Sequence, residues 1–153
     1  WALKQKDMET LSQLVHPHKG VRFSPYAYVT NEDLVFRSAD MKNLMRDQAV
    51  RNWGDFDGTG RPINLTFAAY FERLIYDADF ARPQQVGCNT VLGRGNTINN
   101  IAAFYPNAIF IEYHFEGMDP QQAGMDWRSL RLVLEEHEDA WYLVGIVHDE
   151  WTI

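Results

Sequence analysis

The sequence predicts an α+β domain in which helices pack on one face of a curved antiparallel sheet. Two observations carry this prediction. Apolar residues recur at helical spacing in several segments of the first half, whereas the last third consists of three long alternating segments joined by turns. Helices followed by a meander of strands form a layered α+β arrangement. The 153 residues are 46% hydrophobic and 14% aromatic, which suits one packed core, and no repeat or linker divides the chain. We therefore expect one domain, residues 1–153.

The N-terminal third predicts two helices around a broken strand. Helical spacing of apolar residues runs from Leu3 to Val15, and Pro17 and Gly20 end it. The following VRFSPYAYV is rich in β-branched and aromatic residues, but Pro25 restricts it to an edge or a break. A short helix is expected over Ser38–Arg46, with Ser38 as its N-cap.

The middle third predicts an extra β-hairpin near 50–65, because DGTG separates AVRNWGDF from RPINL. Thr66 is the expected N-cap of the next helix. QQVGCNTVLG then predicts a strand, and NTINNIAAFYP a short helix capped by Thr97 and ended by Pro106.

The last third predicts three strands whose alternate residues share a face. Glu112 of the first strand is expected to pair across the sheet with Arg131 of the second. The last strand is apolar on both faces, which predicts a central position. Strict alternation there places Tyr142, Val144, Ile146 and His148 on one face, and Trp141, Leu143, Gly145, Val147 and Asp149 on the other.

Charge and cysteine content exclude several classes. A net charge of -7 and a pI near 5.1 argue against a nucleic-acid binder, which needs a basic surface. No apolar run approaches the ~20 residues of a membrane span, so this domain is not expected to insert into a membrane. Cys88 is the single cysteine, which excludes an internal disulfide and a cysteine zinc cluster. Its strand context predicts a small buried hydrophobe.

The order of elements resembles the NTF2-like (cystatin-like) superfamily, in which a helix-lined cone opens over a bent sheet. The resemblance covers most of the chain, and the hairpin near 50–65 is an addition to it. Within this fold, HPHKGVRFSPYAYV, GNTINN, MDWRSLRLVLEE and WYLVGIVHDEWTI resemble a group of bacterial extracytoplasmic proteins, often lipoproteins. The resemblance implies a fold and an extracytoplasmic location, secreted or lipid-anchored, but no reaction, because such folds host many functions.

The leading hypothesis is a non-catalytic domain without a cofactor. It binds a small molecule or peptide in an aromatic pocket of the cone, or acts as an interaction or dimerisation module. Folds of the type that the chain resembles commonly dimerise through the sheet, so the resemblance implies a homodimer as one form of this module, with Trp141 suited to the interface. The residues expected to line the pocket are Arg22, Tyr26, Trp53, Arg94, His148 and Trp151.

An enzyme is the first alternative. A hydrolase or isomerase would use His148 or His114 as general base, oriented by Asp149 or Asp126. Neighbouring strand residues face opposite ways, so His148 and Asp149 do not form one dyad, and a partner would come from another element. Ser24 lacks the G-x-S-x-G context of a serine nucleophile.

A metal site is the second alternative. His16 and His18, with a third ligand such as His114 or His148, offer imidazoles for zinc or copper. A helix C-terminus, whose dipole favours a histidine, is the preferred explanation of the H-P-H spacing. DFDGTGRPINLT matches half of a calcium loop, but it lacks the Glu at position twelve, and a hairpin turn explains the same residues.

Overall fold

A computed structural model describes residues 1–152 as a helical layer packed on a curved sheet, which confirms the α+β class. None of the helices in these residues is long and apolar enough to cross a membrane. The helices are α1 (Ala2–Gln5), α2 (Met8–Leu14), α3 (Ser38–Met41), α4 (Phe67–Leu74) and α5 (Ile101–Phe104). The strands are β1 (Val21–Ser24), β2 (Val35–Phe36), β3 (Arg51–Asp55), β4 (Pro62–Leu65), β5 (Gln85–Cys88), β6 (Ala108–Phe115), β7 (Arg128–His137) and β8 (Ala140–Glu150).

The predicted first helix is divided in two. Lys6 has a left-handed backbone (φ 54°) that ends α1. The carboxylate of Asp7 then accepts the backbone N–H of Thr10 at 3.0 Å and begins α2. Apolar spacing alone does not show this break, because both helices keep their apolar residues on the side that faces the core.

Three predicted N-caps have different outcomes. Thr66 caps α4 as predicted, since its side chain accepts from the N–H of Ala69. Ser38 is instead the first residue of α3, and its hydroxyl donates to the carbonyl of Ser12. Thr97 does not cap α5 either, because it lies three residues before the N-cap position and donates to Asp57.

The main sheet has the order β2-β1-β8-β7-β6-β5. It is mixed, because β1 and β8 run parallel while the other neighbours are antiparallel. The last strand, β8, is central as predicted. β1 is not the edge strand, since two-residue β2 covers it, and Pro25 lies just beyond its end. The separate hairpin of β3 and β4 confirms the prediction near 50–65.

A β-bulge at Val144 corrects the predicted facing of β8. Val133 pairs with Gly145 and Leu134 pairs with Leu143, which leaves Val144 as the extra residue. Leu143 therefore joins Ile146 on one face, and Val144 joins Gly145 on the other. The predicted faces of residues 145–149 are correct relative to one another. Residues 141–144 lie on the opposite face from the one that strict alternation predicts. Because a bulge bends and twists its strand, this one contributes to the curvature of the sheet.

Two cores lie on the two faces of the sheet. On the helix side, α1–α4 and the hairpin pack against the sheet, and Trp53 stacks on Tyr70 at 4.1 Å between ring centroids. The loop side is covered by residues 89–107, in which Ile101 and Tyr105 of the α5 region pack on Val133. Cys88 is exposed, contrary to the prediction, because β5 is an edge strand.

Candidate functional site

One candidate site is an apolar area on the helix side of the sheet, here called the open face. Its residues come from four neighbouring strands and share one face by their pairing: Val86, Ile109, Ile111, Tyr113, Leu132, Leu134 and Trp141. Val86 is 59% exposed and Trp141 48%. The aliphatic residues between them are partly exposed.

The open face exists because the helices cover only part of the sheet. Leu130, Leu143 and Ile146, on β7 and β8, lie in the buried helix-side core. Toward β5 the cover ends, and Ile109 and Ile111 belong to neither buried core. Among the described strand residues of this face, Glu136 is the acid next to the open face, since it pairs with Trp141. A soluble monomer seldom exposes a contiguous apolar area of this kind without a binding role.

His148, the predicted general base, lies at the far end of the same face. It is fully buried, and its Nε2 lies 3.0 Å from Oδ1 of Asp77, which follows α4. Arg128 contacts the other oxygen of Asp77 at 3.1 Å. Burial raises the pKa of Asp77, but the hydrogen bond and charge of His148 and the charge of Arg128 outweigh this and lower it. The partner does come from another element, and it is Asp77, for which the sequence carried no local signal.

This cluster is an ion-pair network rather than an accessible site. The side chain of His148 has no exposed surface, so the imidazole is not open to a ligand. The ligand atoms of Asp77, His148 and Glu150 lie within 4.8 Å of one another, as a metal site would require. However, Arg128 pairs with Asp77 and Arg73 pairs with Glu150, so a dication would lie beside two guanidinium groups.

Arg131 is the centre of a second buried network, on the loop side. It pairs with Glu112, as predicted, and also with Asp149 at 2.9 Å. Its remaining nitrogen donates to the carbonyl of Gly93 at 2.8 Å, while Glu112 accepts the N–H groups of Leu92 and Gly93. Asp149 is therefore bound to an arginine and turned away from His148. The network fastens the 89–107 segment to the sheet.

His114 and Asp126 do not form the predicted pair. His114 is 5% exposed, and its Nδ1 lies 2.7 Å from the hydroxyl of Ser129. Burial lowers its pKa. Asp126 accepts the N–H groups of Met118 and Asp119 and so closes the loop between β6 and β7. Among the described residues, neither His114 nor His148 is hydrogen-bonded to Asp126 or Asp149.

His16 and His18 meet a third histidine, but not one of those predicted. The ring of His137, at the end of β7, lies 5.1 Å from that of His16 and 4.9 Å from that of His18. The Nδ1 atom of His16 accepts the backbone N–H groups of His18 and Lys19 at 3.1 and 3.0 Å. This occupies Nδ1 and leaves Nε2 as the only nitrogen of His16 that could bind a metal. Among the described residues, His16, His18 and His137 do not bring ligand atoms within 4.8 Å of one another, which favours the structural interpretation of the H-P-H motif.

The six predicted pocket residues are dispersed. Arg22 lines a groove of about 360 Å³, where one nitrogen donates to the carbonyls of Thr30, Asn31 and Asp33. Tyr26 lines a separate cleft of about 280 Å³, and burial raises its pKa to about 12. Trp53 lies in the core, where its indole N–H donates to the carbonyl of Leu65. The remaining three are Arg94, which is exposed, His148, which is buried, and Trp151, which is 39% exposed.

Aromatic side chains fill the space in which the cone pocket was expected. The helix-side interior is packed with the aromatic side chains of Phe23, Trp53, Phe67, Tyr70 and Phe71. A cleft of about 250 Å³ remains beside the open face, and its lining includes Tyr113 and Leu132. Larger clefts lie elsewhere, one of about 730 Å³ beside Val35 and Arg51 and one of about 490 Å³ beside Tyr28 and Asp57.

Comparisons with known proteins give only distant similarities. The sequence matches no protein-family model and no curated protein. Among solved structures, a designed NTF2 protein is similar at a TM-score of 0.38 and 11% identity, over 96% of this chain and 86% of that one. A putative calcium/calmodulin dependent protein kinase II association domain from Xanthomonas campestris is similar at a TM-score of 0.37 and 11% identity, over 97% of this chain and 77% of that one. Neither similarity is close enough to assign a ligand, an activity or an assembly to this chain.

Proposed function

We propose that this chain is a non-catalytic interaction domain that pairs with a second copy of itself through the open face. The observation that carries the proposal is the row of partly exposed apolar side chains from Val86 to Trp141. Tyr113 and Leu132 in this row pack against the helix-side core, whereas Ile109 and Ile111 belong to neither core. Packing two such surfaces together removes apolar area from water at roughly 25 cal/mol per Å². A two-fold arrangement needs only one self-complementary surface.

Two further observations support interaction over catalysis or capture of a small molecule. The buried aromatic residues fill the space that a ligand-binding cone would leave open. The candidate bases His114 and His148 are buried, at 5% and 0% exposed. A general base must reach the proton that it removes. On the loop side, Val133 and Val147 are fully buried beneath the 89–107 segment.

The test is sedimentation velocity of the wild-type chain over a concentration series. We expect a reversible dimer, and we expect the substitution Ile111→Arg to shift the equilibrium to monomer by at least about tenfold, because a buried unpaired charge costs more than 1.4 kcal/mol. Val50→Arg is the matched control, because Val50 is 65% exposed and lies outside the open face.

Two outcomes would contradict the proposal. One is a wild-type chain that remains monomeric at about 100 µM, a concentration well above micromolar dissociation constants. The other is equal weakening by the Ile111 and Val50 substitutions, which would place the interface elsewhere.

An extracytoplasmic location is part of the same proposal and is supported by the sequence resemblance alone. Fractionation of cells that make the full-length protein tests it. Recovery with the cytoplasmic fraction would reject it, whatever the oligomeric state.

A further inference from the structure

Three histidines meet where α2 gives way to β1. The turn formed by residues 15–20, here called the histidine turn, is closed by a hydrogen bond from the N–H of Gly20 to the carbonyl of His16. The His16 ring packs against His18, His137 and Tyr142, with 6.2, 5.1 and 6.1 Å between ring centroids. His16 itself is 5% exposed.

The hydrogen bonds of His16 define its protonation state. Its Nδ1 accepts two backbone N–H groups, from His18 and Lys19. An acceptor nitrogen carries no proton, so the ring is the neutral tautomer with its proton on Nε2. Adding a proton at Nδ1 would point an N–H at two other N–H donors, and both hydrogen bonds would be lost.

The surrounding charges oppose that proton on balance. Burial lowers the pKa of His16 most, followed by the charge of His137, while Glu135 acts in the opposite direction and Lys19 and His18 lower it further. Lys19 pairs with Glu135, which offsets part of that acid's influence. At the rim, Arg37 donates to the carbonyl of His18, and Glu138 lies 4.0 Å from His137.

We propose that His16, with His18 and His137 beside it, is an acid-sensitive latch that holds the histidine turn closed near neutral pH and releases it in mild acid. The sign follows from linkage. A pKa that is lower in the closed turn than in the open chain means that the open form takes up the proton first. Closure is therefore stable above about pH 6.5 and is lost as the pH falls toward the lowered pKa.

The experiment is amide hydrogen exchange of the ¹⁵N-labelled chain by NMR, expressed as protection factors to remove the intrinsic pH dependence of exchange. We expect the amides of His18 and Lys19 to lose about tenfold of their protection between about pH 7.5 and 5, the range in which histidine titrates. Long-range ¹H–¹⁵N spectra at the higher pH should show the Nε2–H tautomer of His16. Persistent protection while His16 titrates, or the Nδ1–H tautomer, would overturn the proposal from the wild-type chain alone.

Two variants sharpen the test. Asn accepts hydrogen bonds but does not titrate in this range, so His16→Asn should keep Lys19 protection within about twofold across it. His137→Gln removes a neighbouring positive charge, which raises the pKa of His16 in the closed turn toward its open-chain value. The acid-induced loss of protection should therefore become smaller and occur at lower pH. An unchanged loss of protection in His16→Asn would refute the latch.

A last comparison adds zinc chloride at constant pH, with and without chelator. Joint broadening of the three imidazole signals with increased protection would establish a metal site instead.

Discussion

At the scale of single residues, burial determines what the polar side chains do. Arg131 and Glu112 have no exposed side-chain surface, and Asp149 is 3% exposed. Each of the three nitrogens of Arg131 has an acceptor. A fully satisfied network of this kind fixes one arrangement of the chain, because losing one partner leaves a charge in a medium that solvates it poorly.

The first prediction concerns this network. Arg131→Met should lower the free energy of unfolding by about 3–5 kcal/mol, since Glu112 and Asp149 would remain buried without their counter-ion. Urea unfolding followed by fluorescence measures the change. Lys42→Ala is the control, because its pair with Glu9 is 3.1 Å long and half exposed, and a loss of at most about 1 kcal/mol is expected. Losses of similar size in the two variants would show that the network contributes little.

At the scale of elements, the bulge in β8 controls how the α5 region covers the sheet. A Cβ at position 145 would lie 2.8 Å from the hydroxyl oxygen of Tyr105 and 3.3 Å from the Cβ of Val133. That hydroxyl is buried and has no hydrogen-bond partner among the described residues. Burial raises the pKa of Tyr105 to about 12, so the group stays protonated near neutral pH. The absent side chain of Gly145 thus makes room for the tyrosine ring.

A double-mutant cycle tests this contact. Gly145→Ala should destabilise the protein by about 1–3 kcal/mol through overpacking. Tyr105→Phe should be close to neutral, because it removes a buried polar group without a partner. In the double variant the methyl group no longer meets the oxygen, so we expect its destabilisation to be at least about 0.5 kcal/mol smaller than the sum of the two single effects. Additive effects, measured by urea unfolding, would show that the hydroxyl is not the atom that clashes.

The same elements show how far the sequence could lead. Periodicity and turn chemistry predicted the hairpin, the cap at Thr66, the central position of β8 and the pair of Glu112 with Arg131. The bulge was beyond reach, because an extra residue in a strand leaves the run of apolar side chains unchanged. The partner of His148 was also beyond reach, since Asp77 is 71 residues away and follows a helix. Pocket residues were predicted from their type alone, and Trp53 lies in the core instead. Residue type could not separate the two places, because aromatic side chains pack in cores as well as in pockets.

At the scale of the whole molecule, the distribution of charge sets the conditions for association. The chain carries a formal charge of -7 at pH 7. Little of this charge lies beside the open face, where Glu136 is the adjoining acid among the described strand residues. Two copies that meet through apolar side chains therefore bring like-charged bodies together without forming many ion pairs. Repulsion between exposed charges is screened by salt over about 10 Å at 0.1 M, whereas burial of apolar surface is not weakened by it.

Salt should therefore strengthen the dimer. Between about 0.05 and 0.5 M sodium chloride at neutral pH we expect the dissociation constant to fall several-fold, as screening reduces the repulsion between the two acidic copies. Sedimentation velocity at fixed protein concentration measures the shift, and Ile111→Arg should stay predominantly monomeric throughout. The opposite trend, dissociation with added salt, would mean that ion pairs hold the copies together. It would move the interface away from the open face and onto the charged end of the sheet, where Arg128 of β7 pairs with Asp77 and Arg73 of α4 pairs with Glu150.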